Sequence, residues 1–252
     1  FNKTNFTDSF FSKNIFNKIK GPVTPDHVIR IKHKPLFLDF SKVKIDNIDK
    51  YIFNEINDYK KNYIKYFKRN QYLNKTAKMH DPNPKIIVVK GHGTFSVGKN
   101  YQDSIINMDV GINSLSSILD SFKYGEFKSI SEKQIFLMEY WPLELAKLKS
   151  SNLPLQGNVV LITGGIGTLG YATAKKFLKK GAEVVLLDKI NPTKTKNKIN
   201  EMDYYQCDVT NKNNIKFVLK KISEKFGGID IVISNAGFAI HKSLKDLDKL
   251  IL

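Results

Sequence analysis

The chain has 252 residues, 41% of them hydrophobic and 12% aromatic, enough to bury a real core in one large domain or two modest ones. The formal net charge of +17 invites a nucleic-acid partner, but among the basic residues only Arg30 and Arg69 are arginine, and the lysines are spread over the whole length. Arginine is the usual bidentate reader of bases and phosphates, so this distribution argues against a nucleic-acid groove. No apolar run approaches the ~20 residues of a membrane-spanning helix, which argues against a membrane partner. The lone Cys207 excludes an internal disulfide or a cysteine-based zinc cluster and points to a reducing, cytoplasmic setting.

The opening stretch, "FNKTNFTDSFFSKNIFNKIK", is Lys-rich and faintly amphipathic. It reads either as a targeting peptide or, preferably, as an internal piece of a longer chain. In "TPDHVIRIKHKPLFLDF", Thr24 to Phe40, Asp26 and His27 read as a turn that fixes the chain path. "NIDKYIFNEINDYKKNYIKYFKRN" then has helical spacing. The segment "DPNPKIIVVKGHGTFSVGKNYQDSIINMDV" predicts a strand over Ile86 to Val89, a tight turn at Gly91-His92-Gly93, a second strand to Val97 and a helix from about Asp103. A histidine held between two glycines at a strand end is well exposed for ligation, although on the residues alone a turn histidine without a role is the favoured reading. "EYWPLELAKL", Glu139 to Leu148, has a helical pattern whose aromatics are expected to pack between two domains.

Texture changes near residue 150. The join, "LKSSNLPLQGN", carries Ser, Asn, Pro and Gly together and reads as a linker. After it, "NVVLIT", "AEVVLLD" and "IDIVIS" are short apolar runs separated by amphipathic segments, the pattern of buried parallel strands with crossover helices. "VVLIT" is followed by a helix with Ala174, Phe177 and Leu178 on one face and Gly181 as its stop. Between strand and helix sit Gly164, Gly165, Gly167 and Gly170, and Gly165-x-Gly167-x-x-Gly170 has dinucleotide-binding spacing. Such a turn needs conformations only glycine adopts cheaply, and the helix N-terminus offers free N–H groups to a pyrophosphate. Asp188 ends the next strand, 18 residues after Gly170, about where an acid binds the adenosine ribose. A carboxylate there repels a 2′-phosphate and favours NAD over NADP; the neighbouring Lys189 weakens that preference.

Three motifs in order, "ITGGIGTLG", "CDVT" (Cys207 to Thr210) and "GGIDIVISNAG" (Gly227 to Gly237), resemble the short-chain dehydrogenase/reductase family. The resemblance implies a cofactor site formed by Thr163, Gly164, Gly165, Ile166, Gly167, Thr168, Leu169 and Gly170 in the turn, and Asp188 beyond it. It adds Asp208 and Val209 of the second motif and Asn235, Ala236 and Gly237 of the third, with Asp208 toward adenine and Asn235 to Gly237 supporting the sheet. Two departures stand out: Thr168 where the commoner pattern has glycine, a spacing similar to the extended branch, and Ser234 where the family has asparagine. Tyr171 and Lys175 spell Tyr-x-x-x-Lys, but the family's proton-transfer pair follows the Asn-Ala-Gly strand, whereas this pair precedes it. They are read as ordinary helix residues, and no catalytic residue is assigned in this chain.

The His92 segment is similar to the His-Gly motif of class II aldolase/adducin domains, in which that histidine is one zinc ligand. Together with "EYWPLELAKL", the Leu-Pro-Leu join and the dehydrogenase motifs, the chain resembles the bifunctional rhamnulose-1-phosphate aldolase/alcohol dehydrogenase group. His27 and His33 are six apart and do not form the His-x-His pair such a zinc site needs, and His80 stands alone. His92 is therefore the single metal candidate, with zinc expected only in an intact aldolase domain.

The resulting expectation is an α/β chain: the C-terminal part of a class II aldolase-like domain over residues 1–148, a linker over 149–158, and the N-terminal half of a Rossmann-type parallel sheet over 159–252. The resemblance implies a fragment of an NAD-dependent oxidoreductase fused to a zinc aldolase-like domain, acting on sugar-derived aldehydes, alcohols and sugar phosphates, and a homo-oligomer at full length. Half a doubly wound sheet is expected to self-associate through an uncovered strand edge. The competing reading is a non-catalytic NAD-binding regulatory or structural module.

Overall fold

The computed structural model of the chain describes residues 2, 6–12, 14–146, 148, 153–191 and 201–237, and the chain divides into two units, Phe1–Ser151 and Asn152–Leu252. The expected domain end beyond residue 237, the linker residues 149–152 and Lys147 lie outside the described residues.

In the first unit the chain runs through α1 (Thr7–Ser12), α2 (Pro25–Ile31), β1 (Leu36–Leu38), α3 (Ile48–Asn70), β2 (Ile86–Val89), β3 (Gly93–Ser96), α4 (Tyr101–Tyr124), α5 (Glu132–Glu139) and α6 (Pro142–Leu145). Strand β2 is central, parallel to β1 and antiparallel to β3. The opening stretch is built into this core: Phe10, Ile15 and Ile19 are buried with Ile86, Val88, Leu115 and Ile118.

Local chemistry explains the helix limits. Thr24 caps α2 by accepting from the His27 amide at 3.3 Å, with Pro25 in the first turn. Asp26 and His27 thus begin a helix instead of forming the expected turn. Asn100 accepts from the Asp103 amide at 2.7 Å, so α4 starts at Tyr101, two residues before the expected Asp103. On α3 the buried residues Tyr63, Tyr66, Phe67 and Asn70 recur at i, i+3, i+4 and i+7, one stripe facing inward. Ser131 and Gln134 form a capping box that starts α5. That helix stops at Glu139, and Pro142 opens α6, so "EYWPLELAKL" starts on the last residue of α5 and carries α6 over Pro142–Leu145. Tyr140 is 2% exposed and packs on Phe67, Phe136 and His80 within the first unit, a correction to its expected place between domains.

The second unit comprises β4 (Val159–Thr163), α7 (Thr168–Lys179), β5 (Glu183–Asp188), β6 (Asp203–Gln206), α8 (Lys212–Phe226) and β7 (Ile231–Ile233). Its strands are all parallel, in the order β6-β5-β4-β7. Successive residues of β4 and β5 face opposite sides. Val159, Leu161, Val185 and Leu187 pack with Val218 and Ile222 of α8, while Val160, Ile162, Val184 and Leu186 pack with Ala174 of α7. Burial on both faces is why these strands read as continuous apolar runs. Phe177 and Leu178 lie against the second of these clusters, and Gly181, at φ +89°, ends the helix as expected. Strand β6 was absent from the expectation because "DYYQ" is a half-exposed segment without an aliphatic run. Part of the expected linker belongs to this unit: the Leu155 amide donates to the Lys180 carbonyl at 2.9 Å, and the Asn158 carbonyl accepts from Glu183 at the same distance.

Candidate functional site

From β4 the chain builds β5 and then β6 on one side, whereas β7 lies on the other side of β4, so the strand order reverses between β4 and β7. Doubly wound sheets bind ligands outside the carboxyl ends of their strands at such a reversal. The glycine turn and the Asn235-Ala236-Gly237 segment both lie there. Gly164 holds φ +62°, and its carbonyl accepts from the Gly167 amide at 3.2 Å. A Cβ on Gly170 would sit 2.2 Å from the Gly164 carbonyl oxygen, so this glycine is required by the folded turn itself. Gly167, Thr168 and Leu169 are exposed at the start of α7, and Gly167 brings no side-chain cap. First-turn amides without an intrahelical partner, at the positive end of the helix dipole, form an anion seat.

The third motif clasps this turn. The Asn235 side-chain amide donates to the carbonyls of Thr163 at 3.1 Å and Gly164 at 3.2 Å. The Thr163 hydroxyl accepts from the amides of Asn235 and Ala236, each at 3.0 Å. Ser234 is exposed, so its departure from the family's asparagine leaves this clasp intact.

Asp188, at the end of β5, is 9% exposed and turned toward the same turn: one carboxylate oxygen accepts from the Ile166 amide at 3.3 Å, the other from the Ile190 amide at 3.2 Å. The Tyr204 hydroxyl from β6 donates to the Asp188 and Ile190 carbonyls, fixing the strand end from the next strand. Asp208 and Val209 are exposed just past β6. Asp208 accepts from the Thr210 amide at 2.9 Å and the Thr210 hydroxyl at 2.7 Å, bonds that hold its carboxyl below the ordinary range. Asn214 accepts from the Asp208 amide at 2.8 Å, a positioning bond that sequence spacing did not suggest. Tyr171 and Lys175 lie one turn apart on α7, the ammonium 5.7 Å from the ring centroid.

His92 stands in the exposed turn between β2 and β3, flanked by Gly91 at φ +69° and Gly93 at φ +146°. Its Nδ1 lies 2.8 Å from the Lys90 carbonyl, which can only accept, so Nδ1 is the donor of that bond. Phe40 meets the ring edge-on at 6.1 Å. No group of three or more His, Cys, Asp or Glu residues able to hold a metal occurs among the described residues. One imidazole does not make a zinc site.

The sequence reading missed a buried polar cluster in the first unit. Glu139, 1% exposed, accepts from the Tyr63 hydroxyl at 2.6 Å and the Tyr66 hydroxyl at 2.9 Å. The Tyr63 and Tyr140 hydroxyls are 2.7 Å apart, and the Lys32 ammonium lies 3.9 Å from the Tyr63 ring centroid. His33 stacks on Tyr66 at 4.4 Å and His80 on Tyr140 at 4.6 Å. Burial pushes Glu139 up to about 7 and Lys32 down to about 8. The tyrosine spacing on α3 was the only local signal for this cluster.

Comparisons with known proteins match these two units in turn. The family model described as the second domain of class II aldolases matches residues 4–148, and the short-chain dehydrogenase model matches residues 158–250. The uncharacterized oxidoreductase YuxG of Bacillus subtilis is 28% identical over 87% of this chain, which spans 33% of that protein. The sorbose reductase of Candida albicans is 34% identical over 39% of this chain and 38% of its own length. The NAD+-bound short-chain dehydrogenase of Leptospira borgpetersenii is 31% identical, covers 39% of each chain and superposes with a TM-score of 0.34. The chain belongs to the class II aldolase second-domain family, joined to a short-chain dehydrogenase segment in the manner of aldolase/short-chain dehydrogenase fusions.

Proposed function

We propose that residues 159–252 are the N-terminal, cofactor-binding half of an NAD-dependent dehydrogenase domain, joined through residues 149–158 to the C-terminal part of an aldolase-like domain over residues 1–148. The observation that carries this reading is the convergence of three separate segments on one crevice: the uncapped start of α7, the oriented Asp188 carboxylate and the Asn235 clasp. The first-turn amides of Thr168 and Leu169 suit a pyrophosphate, which the missing side chain of Gly167 lets approach, and Asp188 suits the two ribose hydroxyls of NAD. Asp208 and Val209, on the loop after β6, suit the adenine edge, while Thr163, Gly164, Gly165, Ile166 and Gly170 hold the turn. Ala236 and Gly237, past β7, complete the cradle's wall. When bound, NAD accepts hydride from an alcohol carbon. The chain's own residues position the cofactor and screen its phosphates.

In the intact protein this half serves oxidoreduction of a sugar-derived aldehyde or alcohol, and the first half serves cleavage of a sugar phosphate; zinc there would need ligands beyond His92, which alone does not hold it. A cytoplasmic homo-oligomer fits that role.

The direct test is calorimetric titration of the chain with NAD and NADP. NAD should bind with 1:1 stoichiometry and more tightly than NADP, and Asp188→Asn should weaken NAD roughly tenfold while narrowing the gap to NADP, since one charge-assisted bond is lost and the repulsion of a 2′-phosphate removed. Equal affinity of the parent chain for both dinucleotides, unchanged by the substitution, would rule out the assigned role of Asp188.

A further inference from the structure

Strand β6 lies at one end of the four-stranded sheet, and alternate residues of a strand share a face, so Tyr204 and Gln206 stand on one side and Tyr205 on the other. Tyr204 packs with the cluster on the α7 side, which includes Val184 and Leu186, and Tyr205 with the cluster on the α8 side. The register pairs Leu186 with Tyr204 and Asp188 with Gln206. Tyr204 therefore starts two residues short of the end of β5, a gap its long side chain bridges.

Three consecutive carbonyls at that end are taken up from β6 and the residue after it. The Tyr204 hydroxyl reaches the Asp188 carbonyl at 2.8 Å and the Ile190 carbonyl beyond it. The Gln206 side-chain amide donates to the Lys189 carbonyl at 3.0 Å, and the Cys207 backbone amide donates to the Asp188 carbonyl at 2.8 Å. One hydroxyl carries one proton, so Tyr204 is shared between its two acceptors and draws them together. Burial raises its pKa to about 12, with the Asp188 and Cys207 charges adding to the shift, so it stays a donor across the neutral range.

The bend held in this way carries the Ile190 amide, one of the two amides that orient the Asp188 carboxylate. The bonds of the Tyr204 hydroxyl run to main-chain carbonyls, so it acts on that carboxylate through the peptide between them. A carboxylate fixed toward the ribose accepts from its hydroxyls and repels a 2′-phosphate; one free to swing does less of both.

We propose that Tyr204, seconded by Gln206, is a positioning residue that sets the preference for NAD over NADP: by fixing the 188–190 bend from β6, it holds the Asp188 carboxylate in its binding orientation. The inference rests on the reading of this crevice as a dinucleotide site.

The test is calorimetric titration of the full chain with NAD and NADP, for the parent, Tyr204→Phe, Asp188→Asn and the double variant. Hydrogen exchange at the Ile190 amide, followed by NMR without ligand, is a second and independent reading. Tyr204→Phe keeps the ring and its packing; it should raise the NAD Kd roughly fivefold, about the worth of one neutral hydrogen bond, and leave the NADP Kd within about twofold. In the Asp188→Asn background the same change should cost NAD less than about twofold, because a residue acting through the carboxylate has little left to lose. The Ile190 amide should exchange roughly tenfold faster in Tyr204→Phe. An unchanged ratio of NAD to NADP affinity, or additive losses in the double variant, would make Tyr204 a structural strand residue only. Unaltered exchange at Ile190 would show that the bend does not depend on the hydroxyl. Each of these results overturns the proposal and leaves the dinucleotide reading standing. A parent chain that binds neither dinucleotide overturns both, whatever the exchange at Ile190.

Discussion

Each unit folds around one oriented carboxylate, and the two are built in opposite ways. Glu139 is enclosed by side chains: tyrosine hydroxyls donate to both of its oxygens, and aromatic rings surround those donors. Asp188 is held by backbone amides at the rim of a crevice, beside exposed turn residues. Hydroxyl donors inside a ring cage leave no lone pair facing solvent and raise the cost of charge, so the first carboxylate organises a core. Amide donors at a rim fix direction while leaving the outer face open, which is the arrangement a ligand needs. Burial alone does not separate the two, since both are nearly inaccessible; the origin of the donors does.

The comparison is broken most forcefully by pH. Burial raises Glu139 to about 7 from an ordinary 4.5, so its contribution to stability is complete below 4.5 and is lost as pH rises through about 7. His33 acts in reverse: burial, with smaller effects from Lys34 and Lys32, lowers it to about 3 from 6.5, so its contribution is present above 6.5 and is lost as pH falls toward 3. His27 and His80 are lowered as well and act with His33. The parent chain sums these opposing slopes, and a paired measurement isolates one. In urea unfolding from acid to mildly alkaline pH, Glu139→Gln should gain on the order of 3 kcal/mol relative to the parent as pH rises through that window. A difference independent of pH would show that Glu139 is charged throughout, like a rim carboxylate.

The next effect in size is steric and belongs to the second unit. Gly170→Ala places a methyl group 2.2 Å from the Gly164 carbonyl oxygen and 2.9 Å from the Asn235 amide nitrogen. Opening the turn to admit it should cost about 2 kcal/mol of unfolding free energy and abolish NAD binding. A chain that retains parental affinity by calorimetry would show that the turn has slack. Smaller again is Tyr63→Phe, which removes one donor from Glu139 and one neighbour from Tyr140 and should destabilise by about 1–3 kcal/mol without changing NAD affinity. The smallest effect is expected at Tyr171→Phe, within about 0.5 kcal/mol in stability and without effect on NAD affinity. Loss of cofactor binding there would place Tyr171 in the site after all.

The two carboxylates also differ in how legible they are in sequence. Asp188 could be found because the cradle is made of backbone: glycines are spaced by a local turn, and the acid ends the next strand, so the whole signal fits in one strand-helix-strand passage. Glu139 could not, because its donors come from α3, 76 and 73 residues away, and nothing near "MEYWP" reveals which helix it faces. Tyr140 was expected between domains for the same reason; aromatic character predicts burial but not the partner. Strand β6 escaped notice because a half-buried edge strand needs no aliphatic run, and the start of α4 was misplaced by two residues because the capping asparagine, not the first charged residue, sets it. Cap chemistry at Thr24 and Asn100 was readable in principle, since a Thr-Pro pair and an Asn three residues before an Asp are local signals.

The Asn235 clasp has a consequence for how the chain is made. The glycine turn leaves the ribosome early in the second unit, yet the side chain that bonds the Thr163 and Gly164 carbonyls arrives 72 and 71 residues later. Until β7 has been synthesised and docked beside β4, the turn lacks its far wall. Competence to hold a dinucleotide should therefore appear late and abruptly during vectorial synthesis, as a property of the assembled four-strand sheet.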